Sequence, residues 1–77
     1  MDGKKLVKMA NEIAAFFAAE PERQVAQDGV ANHLKRFWEP RMRRELLALL
    51  DTGAHGMSDL VQEALRRHRQ VLQPAAS

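Results

Sequence analysis

Between Gly29 and Arg44 the sequence GVANHLKRFWEPRMRR places Arg36, Arg41, Arg43 and Arg44 beside Phe37, Trp38 and Met42. Guanidinium groups are rigid forks that suit carboxylates or phosphates, and aromatic and thioether side chains supply the apolar area that makes an attachment hold. This is the chemistry of docking rather than of bond making. His33 stands one helical turn before Phe37, placed to pack against that ring or to hydrogen-bond a partner. The candidate partner-binding residues are therefore His33, Arg36, Phe37, Trp38, Arg41, Met42, Arg43 and Arg44. As solvated ion pairs such arginines would add only about 0.2–1 kcal/mol each, so stability alone is a weak reason for the cluster.

Other chemistries find little support. His33, His55 and His68 fall in different segments with no i, i+4 partner and no cysteine, whereas zinc is normally held by three or four protein ligands at recognisable spacing. His68 lies inside an apolar stripe and reads as a partly buried, hydrogen-bonded histidine. No glycine-rich phosphate loop, cysteine nucleophile or spaced carboxylate pair is present, so neither a catalytic site nor a cofactor is expected in this chain. Trp38 suits the core and an interface equally: it continues the line of Leu34 and Phe37, but two adjacent large aromatics subtend about 100° of helix. Leu47 stands about 100° round from Leu46 and reads as incidental surface ahead of a contact patch with Arg43.

A competing partner is nucleic acid. Two helices joined by a short break around Glu39 and Pro40 could mimic a helix-turn-helix, with Arg41, Arg43 and Arg44 at the start of the reading helix. Beyond its first turn, however, that helix reads ELLALL, where base recognition needs polar side chains. Protein is favoured as the partner.

Four helical stripes position these residues. Leu6, Met9, Ile13, Phe16 and Phe17 recur at helical spacing over about Gly3 to Ala19. Pro21 closes that helix and opens a second, whose stripe is Val30, Leu34, Phe37 and Trp38, with Gly29 a tolerated weak point. Pro40 starts a third helix carrying Met42, Leu46, Leu49 and Leu50, which Gly53 ends as a C′ residue. Ser58 is a good N-cap for a last helix with Leu60, Val61, Ala64, Leu65, His68, Val71 and Leu72 on one stripe. No strand alternation occurs. The fold class is all-α, a small bundle of three to four short helices, with one domain over residues 1–73 and a frayed tail at 74–77.

At 77 residues a chain buries only about 60% of its unfolded surface, so packing or a partner must complete its stability. Twelve Lys and Arg against ten Asp and Glu leave a net charge of +2, local basic patches rather than a nucleic-acid tail. Lys8, Asn11 and Glu12 interrupt the apolar start, so neither a signal peptide nor a membrane span is read there, and a cytoplasmic location is expected.

The runs LVKMANEIAAFFAAEPER, Leu6 to Arg23, and ANHLKRFWEPRMR, Ala31 to Arg43, resemble the delta subunit of the NAD-dependent, molybdenum-containing formate dehydrogenases. That family opens with an L-V-K-M-A-N-x-I-A-x-F-F helix and carries an H-L-x-x-F-W-D-P-R-M-R core. Glu39 replaces the usual Asp, a better helix N-cap, so the start at Pro40 is less sharply specified here. The resemblance implies a non-catalytic accessory subunit of a cytoplasmic enzyme, bound to the large alpha subunit that carries molybdopterin and iron–sulfur clusters. It also implies a role in stabilising that subunit or assisting cofactor insertion. Charge reversal at Arg41 and Arg43 is expected to release the chain from an acidic partner without unfolding it.

Overall fold

The computed structural model describes residues 2–53 and 56–74. His55 and residues 75–77 of the expected tail lie outside them. Five helices follow in order: α1 (Gly3–Phe17), α2 (Arg23–Phe37), α3 (Pro40–Thr52), α4 (Asp59–Arg67) and α5 (Arg69–Leu72). The described residues contain no strand, and they pack into a body of 37 × 23 × 20 Å.

Local chemistry sets each boundary. Asp2 caps α1, its Oδ1 accepting from the Lys4 amide at 3.0 Å. Glu39 makes no side-chain cap bond, and α3 begins instead on the pre-set φ of Pro40. Gly53 closes α3 at φ 79°, a left-handed conformation that an L side chain resists. Ser58 caps α4 by accepting from the Val61 amide at 3.3 Å. Asn11 fixes the approach to that cap: its Nδ2 donates to the Gly56 carbonyl at 3.1 Å, and its Oδ1 accepts from the Ser58 amide at 2.9 Å. α1 thereby holds the α3–α4 connection.

The core joins Leu6, Val30, Leu34, Leu46, Val61, Leu65 and Leu72, with Met57 and Trp38 also buried. Each such side chain stabilises the fold by roughly 1.5–3 kcal/mol relative to exposure. The inward faces differ from the expected stripes in a systematic way. On α1 the buried residues are Leu6, Val7, Ala10 and Ala14, a face rotated by roughly 80° from the Met9–Phe16 stripe at 3.6 residues per turn. Phe16 is 77% exposed. Alanines at the contact let neighbouring helices approach closely, so the small residues turn inward and the larger ones flank the seam.

The same shift occurs on α3, where Arg43, Leu46, Leu47 and Leu50 are buried and Met42 and Leu49 sit at the margin. Leu47, read as incidental surface, is core, because Arg43 and Leu47 share a face at i, i+4. The expected last helix is divided at His68, whose φ −113° and ψ 23° leave the helical region. That break carries Val71 outward while Leu72 stays buried.

Candidate docking surface

The eight candidate residues do not form one surface. Phe37, Arg36, Arg41 and Arg44 are exposed, His33 and Met42 half-buried, and Trp38 and Arg43 buried. Phe37 is 69% and Trp38 only 6% exposed although they are neighbours. Trp38 leaves the helix with extended φ −93° and ψ 136°, which turns its indole inward while Phe37 keeps the direction of the last helical turn. Of its two readings the structure places Trp38 in the core.

Arg43 corrects the expectation of a four-arginine surface. It is 7% exposed, and its Nη1 donates to the Leu72 carbonyl at 3.2 Å, tying α3 to the end of α5. Its buried Nε has no hydrogen-bond partner. The aliphatic stem covers core while the cation meets the carbonyl end of a helix, a favourable position for positive charge. A charge reversal here attacks the fold, not a partner.

Around Phe37 the exposed groups form a continuous edge. The His33 and Phe37 rings lie 4.8 Å apart and tilted by 44°, the packing expected of a helix-flank histidine. The Arg36 guanidinium stands 5.8 Å from the centre of the Phe37 ring, within cation–π range. Across from them α1 contributes Glu12, Ile13, Phe16 and Phe17, and with His33 these line an open groove of about 420 Å³. Phe16 and Phe17 meet edge to face at 5.1 Å.

Gly29 seats this wall. A Cβ at that position would come within 2.4 Å of Phe17 Cδ1, so the Phe17 ring can lie on α2 only because residue 29 has no side chain. Gly29 is thus a packing requirement rather than a tolerated defect. Sequence reasoning also missed Phe16 as a surface residue and Ile13 as a half-buried one at the margin of the core. The signal was present in Ala10 and Ala14, which mark the inward face of α1 once small residues are counted as contact positions.

Charges elsewhere are satisfied within the chain. Arg23 grips Glu63 through two bonds of 2.7 and 3.1 Å, and Gln27 adds a third at 2.8 Å. These donors, Arg23 first, hold the Glu63 carboxyl at about 2, below its usual 4.5. Arg69 makes a bidentate pair with Asp51 at 2.9 and 2.7 Å and lowers that carboxyl too. Asp28 takes His68 Nε2 at 2.6 Å and Arg67 Nε at 3.6 Å, so His68 is the hydrogen-bonded residue its stripe position implied. Arg36, Arg41, Arg44 and Glu12 form no ion pair among the described residues.

Among the described residues no group of three or more His, Asp or Glu side chains is arranged to hold a metal ion. No described helix is long and apolar enough to cross a membrane. No curated protein and no solved structure is significantly similar to the chain. Residues 5–65, by contrast, match the family described as the NADH-dependent formate dehydrogenase delta subunit, FdsD. The match spans most of α1, all of α2 and α3 and most of α4, and so includes the residues that line the groove and the exposed Arg36, Arg41 and Arg44. The chain belongs to the delta-subunit family of the NADH-dependent formate dehydrogenases.

Proposed function

We propose that the chain is a non-catalytic accessory subunit that binds the large, molybdopterin-carrying alpha subunit of a cytoplasmic formate dehydrogenase and either stabilises it or assists insertion of its cofactor. The observation that carries this reading is the family match over residues 5–65, within which Phe16 and Phe37 are exposed and Arg36, Arg41 and Arg44 form no ion pair among the described residues. Exposed Phe and unpaired Arg are the side chains that dominate protein interfaces. Neither group can transfer a hydride. The chain is expected to hold no cofactor itself, offering no thiolate and no nucleotide-binding loop.

The test is recovery of the tagged chain from its native cytoplasm. The large subunit should accompany it, and charge reversal at Arg41 and Arg44 together should weaken that recovery while leaving the helical circular dichroism unchanged. Formate oxidation should be undetectable in the isolated chain. Enzyme assembled without it should lose molybdenum if the chain assists maturation, or lose stability at full molybdenum content if it braces the subunit. Unchanged molybdenum, activity and stability would reject both roles, and recovery of duplex DNA in place of the enzyme would replace them with nucleic-acid binding.

A further inference from the structure

The turn that follows α4 is built differently from the helices before it. α5 spans only Arg69–Leu72, and a single turn fixes many dihedral angles for few hydrogen bonds, so it does not hold its shape alone. The backbone ladder of α4 ends where the His68 amide donates to the Ala64 carbonyl at 3.0 Å. That of α5 starts where the His68 carbonyl accepts from the Val71 and Leu72 amides, also at 3.0 Å. Between the two ladders His68 takes φ −113° and ψ 23°. The join is one residue outside the helical region, and rotation there moves α5 while the bonds of α4 stay made.

Tertiary contacts supply what the turn lacks. At the join itself, His68 Nε2 is held to Asp28 of α2 at 2.6 Å. Beyond it both clasps come from α3: Asp51 takes Arg69 at 2.9 and 2.7 Å, and Arg43 Nη1 donates to the Leu72 carbonyl at 3.2 Å. Arg69 precedes Leu72 whereas Asp51 follows Arg43, so α5 lies along α3 in the opposite direction. Within α5 one apolar side chain closes the contact, since Leu72 is fully buried and Val71 exposed.

Closure works against hydration at Arg43. Its side chain is buried and its Nε has no partner, so the Leu72 carbonyl returns less than the water that closure removes. Lifting α5 lets water back to that cation and offsets part of the loss of Leu72 burial. The body keeps Leu6, Val30, Leu34, Leu46, Val61 and Leu65 in its core, and opening the turn therefore takes less free energy than unfolding the chain.

We infer that α5 is a strap that opens about His68 while α1–α4 stay folded, and that it controls access to Arg43. Closed, the chain presents Arg41 and Arg44 and withholds Arg43. Open, it presents all three, and all lie within the family match. The device belongs to the fold and operates whichever partner the chain meets.

Native-state hydrogen exchange on the full chain, followed by NMR in sub-denaturing urea, tests the strap. The Val71, Leu72 and Gln73 amides and the Arg43 Nε–H should share one protection factor, at least about tenfold below that of the Val30 and Leu34 amides of α2. Their exchange should depend little on urea, where that of α2 depends steeply. Asp51→Asn, at an exposed clasp, should raise all four rates together by about threefold. Protection equal to that of α2 would show that α5 opens only with the whole fold. Factors that climb from Gln73 to Val71, with Arg43 as protected as α2, would reduce the motion to fraying of an end. Either result, or four rates unchanged in Asp51→Asn, would overturn the strap.

Discussion

Between α2 and α4 and between α3 and α5, polar side chains close on anions of the same chain: Arg23 on Glu63, Arg67 and His68 on Asp28, Arg69 on Asp51. At Arg36, Arg41, Arg44, Phe16 and Phe37, by contrast, the arginines and the large rings stay open to solvent. Both regions are rich in arginine, so composition does not separate them. The difference is whether folding supplies the opposite charge. Where it does, the guanidinium forks work as clamps between helices, and exposed as they are they act more through alignment than through energy. Where it does not, the same forks and the uncovered aromatics keep their binding capacity for a second molecule.

The sharpest break in this comparison lies within the cluster RMRR itself. Arg43→Glu would bury a carboxylate against the Leu72 carbonyl in place of a donor, a change of the kind that costs about 3–5 kcal/mol when a buried charge loses its partner. A domain of this length has roughly 4–12 kcal/mol in total. The variant should therefore melt at a much lower temperature by circular dichroism, or be unfolded if the chain lies at the low end of that range, as should Leu46→Ala if its cavity costs about 2–5 kcal/mol. Arg41→Glu and Arg44→Glu, on the exposed side of the same helix, should shift stability by less than about 0.5 kcal/mol. Equal melting temperatures for Arg43→Glu and Arg44→Glu would erase the distinction between buried and exposed arginines on this helix.

A smaller effect is expected at Gly29, where two terms oppose. Alanine raises helix propensity by about 0.8–1 kcal/mol, but its Cβ would displace the Phe17 ring, and overpacking of this kind costs about 1–3 kcal/mol. The net should be a loss of about 1 kcal/mol in urea unfolding. Restoring stability in Gly29→Ala by shortening the ring, with Phe17→Leu, would show that the clash is the cause. A stabilised Gly29→Ala would mean that Phe17 moves aside freely and does not wall the groove.

The order of the four longer helices and the ends marked by Pro40, Gly53 and Ser58 were legible in the sequence because caps and breakers act locally, while the break at His68 carries no such signal. The facing of the helices was less legible, since it depends on which neighbour arrives. Counting large apolar residues aimed α1 along Met9 and Phe16, while close packing selected Ala10 and Ala14. Arg43 looked like its neighbours because a cation reads as surface until a carbonyl from 29 residues away is seen to meet it. Trp38 was undecided for a related reason: one residue outside the helix, its direction is set by the turn rather than by the stripe. The expected contact residues are thus divided by burial: Trp38 and Arg43 lie inside, and the exposed Phe16 of α1 lies outside the segment from which they were read.

The smallest effect belongs to the charge-satisfied face and runs through pH. Glu63 titrates at about 2 in the folded chain against an ordinary 4.5, held down first by Arg23 and then by Gln27. The unfolded chain therefore takes up this proton at a higher pH than the folded one, and the contribution to stability is present above about 4.5 and lost as pH falls through about 2. Because the pair is exposed, the shift in melting temperature should be modest and should shrink further with added salt. Glu63→Gln removes the titration while keeping the shape of the side chain, so wild type and variant should differ near neutral pH and converge as the pH approaches 2. Asp51 is also held down, by Arg69, and its titration remains in both proteins, so the difference between the two curves isolates Glu63. A constant difference from pH 7 to pH 2 would show that Arg23 and Gln27 hold the carboxylate no better than water does, and the α2–α4 clamp would then be a contact of geometry without electrostatic consequence.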